Sequence, residues 1–324
     1  MDPLSDVLRA VRLTGAHFYG VEATAPWSTL SLEAKQLVPR AHPGAEHLIS
    51  YHILTSGSCW AGIAGEDQVE LRAGDAIVFP HGAANLLSSN PRRTIESTTI
   101  AAVPARYPQT VKIGAGDGVK ATFVCGFLGC DVRPYNPLLT SLPPQMIVHG
   151  TPGDWLAGFP KQVVAESAAA RPGSDTMLTR MAELMFVEAV RRHIASLESA
   201  RASSESGWLR GLTDAIVGPA LRAMHARPDH GWSLAELAQT AGASRTVVVE
   251  RFTSMIGLPP MQYLTNWRLQ LAAEHLSGGS AKVAAVAERV GYDSEAAFSR
   301  AFKRATGLSP SAWRNARLES PRAE

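Results

Sequence analysis

The sequence predicts an α+β chain of two domains: a β-barrel or sandwich with trailing helices, then an all-α unit built as a double helix-turn-helix. Three observations predict it. The chain has 324 residues, against ~100–200 per domain. Its first half alternates short apolar runs with glycine turns, and its C-terminal third repeats itself. Hydrophobic residues at 45% and charged residues at 19% exclude a disordered or fibrous chain. No apolar run reaches the ~18 residues of a membrane span. Met1-Asp2-Pro3-Leu4-Ser5-Asp6 carries two acids and lacks the basic cluster of a secretion signal. Three cysteines (Cys59, Cys125 and Cys130) are too few for a disulfide scaffold. The expected location is cytoplasmic.

Residues 30–130 read as β structure. Leu48–Leu54, Val69–Leu71, Ala76–Phe79 and Thr122–Leu128 are short apolar runs. Turn chemistry at Ser56-Gly57, Gly65–Asp67, Ala73–Asp75, Pro80–Gly82 and Gly114–Gly118 separates them. The period then changes. Met177, Leu178, Met181, Ala182, Leu184, Met185 and Ala189 follow helical spacing, so Ser174–Ile194 is expected to be one long helix opened by Pro172-Gly173. Val187, Val190 and Ile194 form a second apolar face, which is either a dimer surface or further cover for the β core. The domains expected are residues 1–195, a Ser/Ala/Glu-rich linker over 196–207, a helical domain over 208–317 and a tail over 318–324.

The repeat carries the most information. Ser244–Phe252 aligns with Ser294–Phe302 at an offset of 50, and the match continues through Gly257-Leu-Pro-Pro260 and Gly307-Leu-Ser-Pro310. Leu234–Ala238 aligns with Val283–Ala287 at an offset of 49, the difference falling in the turns. Each copy has a helix of small apolar residues, a turn glycine (Gly242, Gly291) and an N-capping serine (Ser244, Ser294). Each then has an inward phenylalanine (Phe252, Phe302), a terminating glycine, and a proline opening the next helix. Pro260–Leu276 would join the copies as a rod of about 25 Å. Residues 208–324 hold 14 Lys and Arg against 10 Asp and Glu, and residues 1–207 hold 17 against 19. The mild basic bias fits a polyanion partner without establishing one.

The densest stretch, Ala287–Arg314 with Gly291-Tyr292-Asp-Ser294, Phe298, Arg300, Phe302, Gly307, Pro310 and Trp313, resembles the AraC/XylS family of transcription regulators. The resemblance covers roughly residues 208–317. It implies a seven-helix domain that places two recognition helices in adjacent major grooves of double-stranded DNA. Helix geometry puts Arg245, Thr246, Val249 and Glu250 at the outward positions of the first recognition helix, and Glu295, Ala296, Ser299 and Arg300 at those of the second. Arg300 is the candidate for guanine readout. Arg245, Arg251, Lys303 and Arg304 are candidates for phosphate contact, the alternative being solvated surface charge. The first copy departs from the family: Val248 replaces the usual aromatic, and Glu250 replaces a common Arg or Gln. An acid there repels phosphates, although it can accept from cytosine N4.

Gly74–Asn85 resembles the second cupin motif, with Asn85 at its metal-binding His position. The first motif's histidine pair is absent; His42, Glu46, His47 and His52 stand at other spacings. His47 and His52 are separated by an odd number and would face opposite sides of a strand. Hydrogen-bonded histidines and no bound metal or cofactor are therefore expected. Ala25-Pro26-Trp27, Tyr51-His52, Gly57–Trp60, Cys125–Phe127 and Asn136–Leu139 extend the resemblance to a cupin-type sensor domain over residues 2–195. The resemblance implies an effector-responsive domain. His47, His52, Cys59 and Cys125 are its candidate effector or redox residues, and inert buried thiols are the alternative for the cysteines. The expected function is sequence-specific DNA-binding regulation of transcription in response to a small-molecule or redox effector, with RNA polymerase and a second copy of the chain as protein partners. The alternative is a metal-dependent cupin enzyme with an appended helical domain. Asn85 and the lack of a nucleophile–base pair argue against it.

Overall fold

The computed structural model describes residues 2–11, 13–91, 98–100, 110–114, 116–150, 155–169, 171–199 and 207–319. In chain order it begins with α1 (Pro3–Ala10), β1 (Thr14–Thr24), β2 (Ser28–Ser31), α2 (Ala34–Ala41), β3 (His47–Ser56) and β4 (Ser58–Ile63). There follow β5 (Val69–Arg72), β6 (Ala76–Phe79), β7 (Asn85–Ser88), β8 (Thr98–Ile100), β9 (Thr110–Ile113) and β10 (Lys120–Cys130). Then come α3 (Pro137–Ser141), β11 (Met146–Val148), α4 (Trp155–Ala169), α5 (Ser174–Ser199), α6 (Trp208–Thr213) and α7 (Val217–Ala226). The chain closes with α8 (Leu234–Thr240), α9 (Arg245–Ile256), α10 (Pro260–Gly278), α11 (Val283–Arg289), α12 (Glu295–Thr306) and α13 (Pro310–Glu319). Residues 13–130 and 142–193 form one compact unit, and residues 1–12, 131–141 and 194–322 form the other. Residues 200–206 of the expected linker and 320–324 of the expected tail lie outside the described residues.

The first unit is a sandwich of two open sheets with orders β11-β6-β3-β10-β1-β9 and β5-β4-β7-β2-β8, not a closed barrel. Alternation along the strands builds it. Tyr19, Val21, Leu48, Leu54, Phe79, Phe123 and Phe127 of the larger sheet share one core with Cys59, Ala61, Leu71 and Leu87 of the smaller. The other face of β3 is buried as well (Ile49, Tyr51, Ile53), and α2 and α4 pack on this strand. α5 outruns its expected end at Ile194. It buries Leu178, Met181, Ala182, Met185, Phe186, Ala189 and Val190, whereas Met177 and Leu184 are 52% and 57% exposed. Val190, on the second apolar face read in the sequence, is buried, which fits the reading of that face as further cover for the core.

In the helical unit the repeat becomes a repeat of structure. α8 and α11 are seven residues each, α9 and α12 twelve each, and α10 and α13 both open on proline. Eight helices follow Gly207 among the described residues, one more than the family resemblance implies. α10 spans 19 residues, a rod of about 28 Å. Its inward side chains Tyr263, Leu264, Trp267, Leu269 and Leu276 are buried, as are Phe298, Phe302 and Trp313 in the second copy. α1 and residues 131–141 belong to this unit too. Val7, Ala10 and Val11 are buried in it, and the buried Gln270 donates to the Ala10 carbonyl (2.9 Å) while accepting from the Tyr135 amide (3.0 Å).

Candidate nucleic-acid interface

Local chemistry sets each helix-turn-helix in the same way. Gly242 and Gly291 have φ of +62° and +79°, values that glycine reaches without strain. Ser244 and Ser294 then accept from the amides of Val247 (3.3 Å) and Ala297 (3.4 Å), satisfying one of the open donors at the start of α9 and α12. Gly257 and Gly307 end both helices in the left-handed conformation. Inside, Val248, Phe252, Phe298 and Phe302 are fully buried. Because each helix is fixed by one buried face, its opposite face is set in direction.

On that face Arg245, Thr246, Glu250 and Arg251 of α9 are exposed and Val249 is half-buried. On α12, Glu295, Ala296, Arg300, Lys303 and Arg304 are exposed and Ser299 is half-buried. The cations divide into two kinds. Arg251 sends Nε (3.0 Å) and Nη2 (2.7 Å) to Oδ2 of Asp214, which also accepts from the Ile216 and Val217 amides. These donors hold the Asp214 carboxyl below its ordinary range against the opposing effect of its partial burial. Arg245, Arg300, Lys303 and Arg304 stand in no such pair among the described residues. Sequence reasoning missed Val247, which is 41% exposed in the first turn of α9. Its signal is the repeat itself: it aligns with Ala297, and both lie between the capping serine and the buried face.

The candidate effector residues lie in the sandwich unit. His47 and His52 point to opposite sides of β3, as their spacing requires. His47 Nε2 lies 2.7 Å from the Pro80 carbonyl, and burial lowers its pKa. His52 faces the core, with Nε2 2.8 Å from Oδ1 of Asn85, the residue at the cupin ligand position. Burial takes its pKa down to about 4. Among the described residues no group of three His, Cys, Asp or Glu could hold a metal ion. Cys59, Cys125 and Cys130 are free and buried. Burial pushes the Cys59 thiol up to about 12 and raises Cys125 as well, which suppresses the thiolate that redox chemistry needs. No helix among the described residues is long and apolar enough to cross a membrane.

Comparison with known proteins agrees with this geometry. A family model described as Cupin matches residues 2–195, and one described as Helix-turn-helix domain matches residues 237–316. An AraC-like transcription regulator from Streptomyces lividans is 31% identical over 97% of this chain and 98% of its own. Another, from Streptomyces antibioticus, is 30% identical over the same shares. The HTH-type transcriptional regulator AlkR of Acinetobacter baylyi is 27% identical over 97% of this chain and 99% of its own. The chain therefore belongs to the AraC-like transcription regulators, DNA-binding proteins in which a cupin-like N-terminal domain precedes a C-terminal helix-turn-helix domain.

Proposed function

We propose that α9 and α12 are the two reading helices of this regulator, each entering a major groove with its first two turns. The observation that carries the reading is the pair of outward faces left exposed by one repeated fold and joined by α10. Arg300 is assigned to base readout, since a guanidinium grips guanine O6 and N7 together. Thr246, Val249, Glu250, Glu295, Ala296 and Ser299 border the same base edges. Arg245, Lys303 and Arg304 are assigned to phosphates. Arg251, engaged by Asp214, is assigned to holding α9 on its unit, and the exposed Val247 to a thymine methyl. The sandwich unit is assigned to sensing an effector. The relatives are regulators, and no reaction is assigned to this chain.

The test is selection of binding sites from a random duplex library, followed by titration of the selected site at several salt concentrations. Three cations at phosphates correspond to a slope of roughly −3 in log affinity against log salt. A slope near zero, or a selection that enriches no sequence, refutes the proposal.

A further inference from the structure

The repeat keeps its fold in both copies but not its charges. At the offset of 50, Glu250 of α9 aligns with Arg300 of α12. Each is the sixth residue of a 12-residue helix opened by a capping serine. Each stands two residues after one fully buried side chain (Val248, Phe298) and two before another (Phe252, Phe302). Both are exposed. The same outward position therefore holds a carboxylate in one helix and a guanidinium in the other.

The surrounding positions differ in the same sense. Thr253 aligns with Lys303 and Ser254 with Arg304. Thr246, Val247, Thr253 and Ser254 stand three and four residues from Glu250, the spacings that share a helix face, and none is a cation. Arg251, the next residue, is held by Asp214. Glu250 itself has no ion-pair partner among the described residues. α9 thus carries one acid against two cations, of which Arg251 is engaged, whereas α12 carries one acid against three cations.

An unneutralised carboxylate on a face turned to DNA is repelled by the phosphates, and it lowers affinity unless a donor meets it. The major groove offers few donors. Guanine presents two acceptors, and thymine presents an acceptor and a methyl group. The N6 donor of adenine lies beside the N7 acceptor, which opposes a carboxylate. Cytosine N4 presents a donor with no acceptor at its side. Arg300 has the converse requirement, which the paired acceptors of guanine meet.

We infer that Glu250 determines specificity by accepting from the N4 amino group of a cytosine, at the position of α9 where α12 uses Arg300 on a guanine. The inference rests on the reading-helix proposal and gives Glu250 a base of its own. Its consequence is a DNA target of two unlike halves. α9 discriminates with little help from charge, and α12 supplies most of the salt-dependent attraction. A duplicated fold thus reads a site that is not itself a repeat.

The experiment repeats the duplex-library selection with the full-length wild type, Glu250→Gln and Glu250→Arg. Each protein is then titrated on the wild-type site and on that site with one C·G pair changed to A·T or to G·C. The wild type should lose roughly 5- to 150-fold in affinity on either change. Glu250→Gln should move the preference at that pair to adenine, whose N6 and N7 a carboxamide meets together, and Glu250→Arg should move it to guanine. Preference at the pair that Arg300→Ala relaxes should be the same in all three proteins. Ratios taken within one protein cancel the general gain from removing a negative charge. If both variants bind every duplex more tightly by one factor and select the wild-type sequence, Glu250 is a repulsive charge only and the inference is overturned. Variants that match the wild type in sequence and affinity overturn it too, as does a wild-type site whose two halves are alike. In each of these cases the selected site leaves the reading-helix proposal standing, whereas a wild type that enriches no sequence refutes that proposal and this inference with it.

Discussion

Gln270, at the middle of the helix that joins the two helix-turn-helix copies, donates from Nε2 to the main-chain carbonyl of Ala10, 260 residues earlier in the chain. Its Oε1 takes the Tyr135 amide in the same buried position. One side chain thus satisfies the C-terminal carbonyl of α1 and a donor in the segment before α3, while anchored in α10. Arg317 reinforces the arrangement through Asp131 (3.0 Å) and lies over the Trp313 ring. Asp131 follows directly on β10 of the sandwich unit, so the chain connects that unit to the helical one at more than its long linker.

Replacing Gln270 should therefore loosen α1. Gln270→Ala leaves the Ala10 carbonyl and the Tyr135 amide buried without partners, at a cost of about 1–3 kcal/mol each when not resatisfied. Hydrogen exchange at Val7, Ala10 and Val11 should accelerate, and chemical unfolding should shift to lower denaturant. Unchanged exchange in α1 would show that Gln270 does not hold it.

The two turn glycines should differ. At Gly291 (φ +79°) an added Cβ would fall 2.5 Å from the Asp229 carbonyl oxygen, whereas at Gly242 (φ +62°) nothing lies within 4 Å. Gly242→Ala should cost only the backbone strain, about 1 kcal/mol. Gly291→Ala should cost clearly more, since backbone must also move. Urea midpoints of the two variants decide this, and equal losses would contradict it.

Arg300→Ala should lower affinity for the selected site by about 1–3 kcal/mol and relax the preference at one base pair. Arg251→Ala, which removes a half-exposed ion pair to Asp214, should lower stability by about 0.2–1 kcal/mol and leave the salt slope of DNA binding unchanged. Loss of a full contact from that slope in Arg251→Ala would return Arg251 to the phosphate set.

Acid should weaken the sandwich through His52. Its pKa of about 4 when folded lies below the unfolded value of about 6.5. The unfolded chain therefore binds the extra proton first, and stability present above pH ~6.5 is lost as pH falls toward 4. The full shift corresponds to about 3 kcal/mol. His52→Gln should flatten unfolding midpoints across this range, and an equally steep profile in the variant would assign the loss to other groups.

Much of the helical unit was legible because its signals are local. A capping serine, a positive-φ glycine and a terminating glycine each act within a few residues, and the repeat displays them twice. Alternation along β3 likewise fixed that His47 and His52 face opposite ways. The partners of those side chains lie far off in sequence and were not legible. Asn85 opposite His52, Asp214 beside Arg251 and Gln270 beneath Ala10 are met only when distant segments pack. Burial of Val190 and exposure of Met177 and Leu184 on α5 have the same origin: periodicity shows that a helix has apolar faces, but the neighbouring chain selects which one is covered. The sequence by itself determined that a β-rich half precedes a duplicated helical unit and which side chains of α9 and α12 point outward, since those follow from backbone geometry over a few residues. Only the tertiary structure decided which cations already have a partner, because desolvation and pairing depend on what the rest of the chain brings alongside.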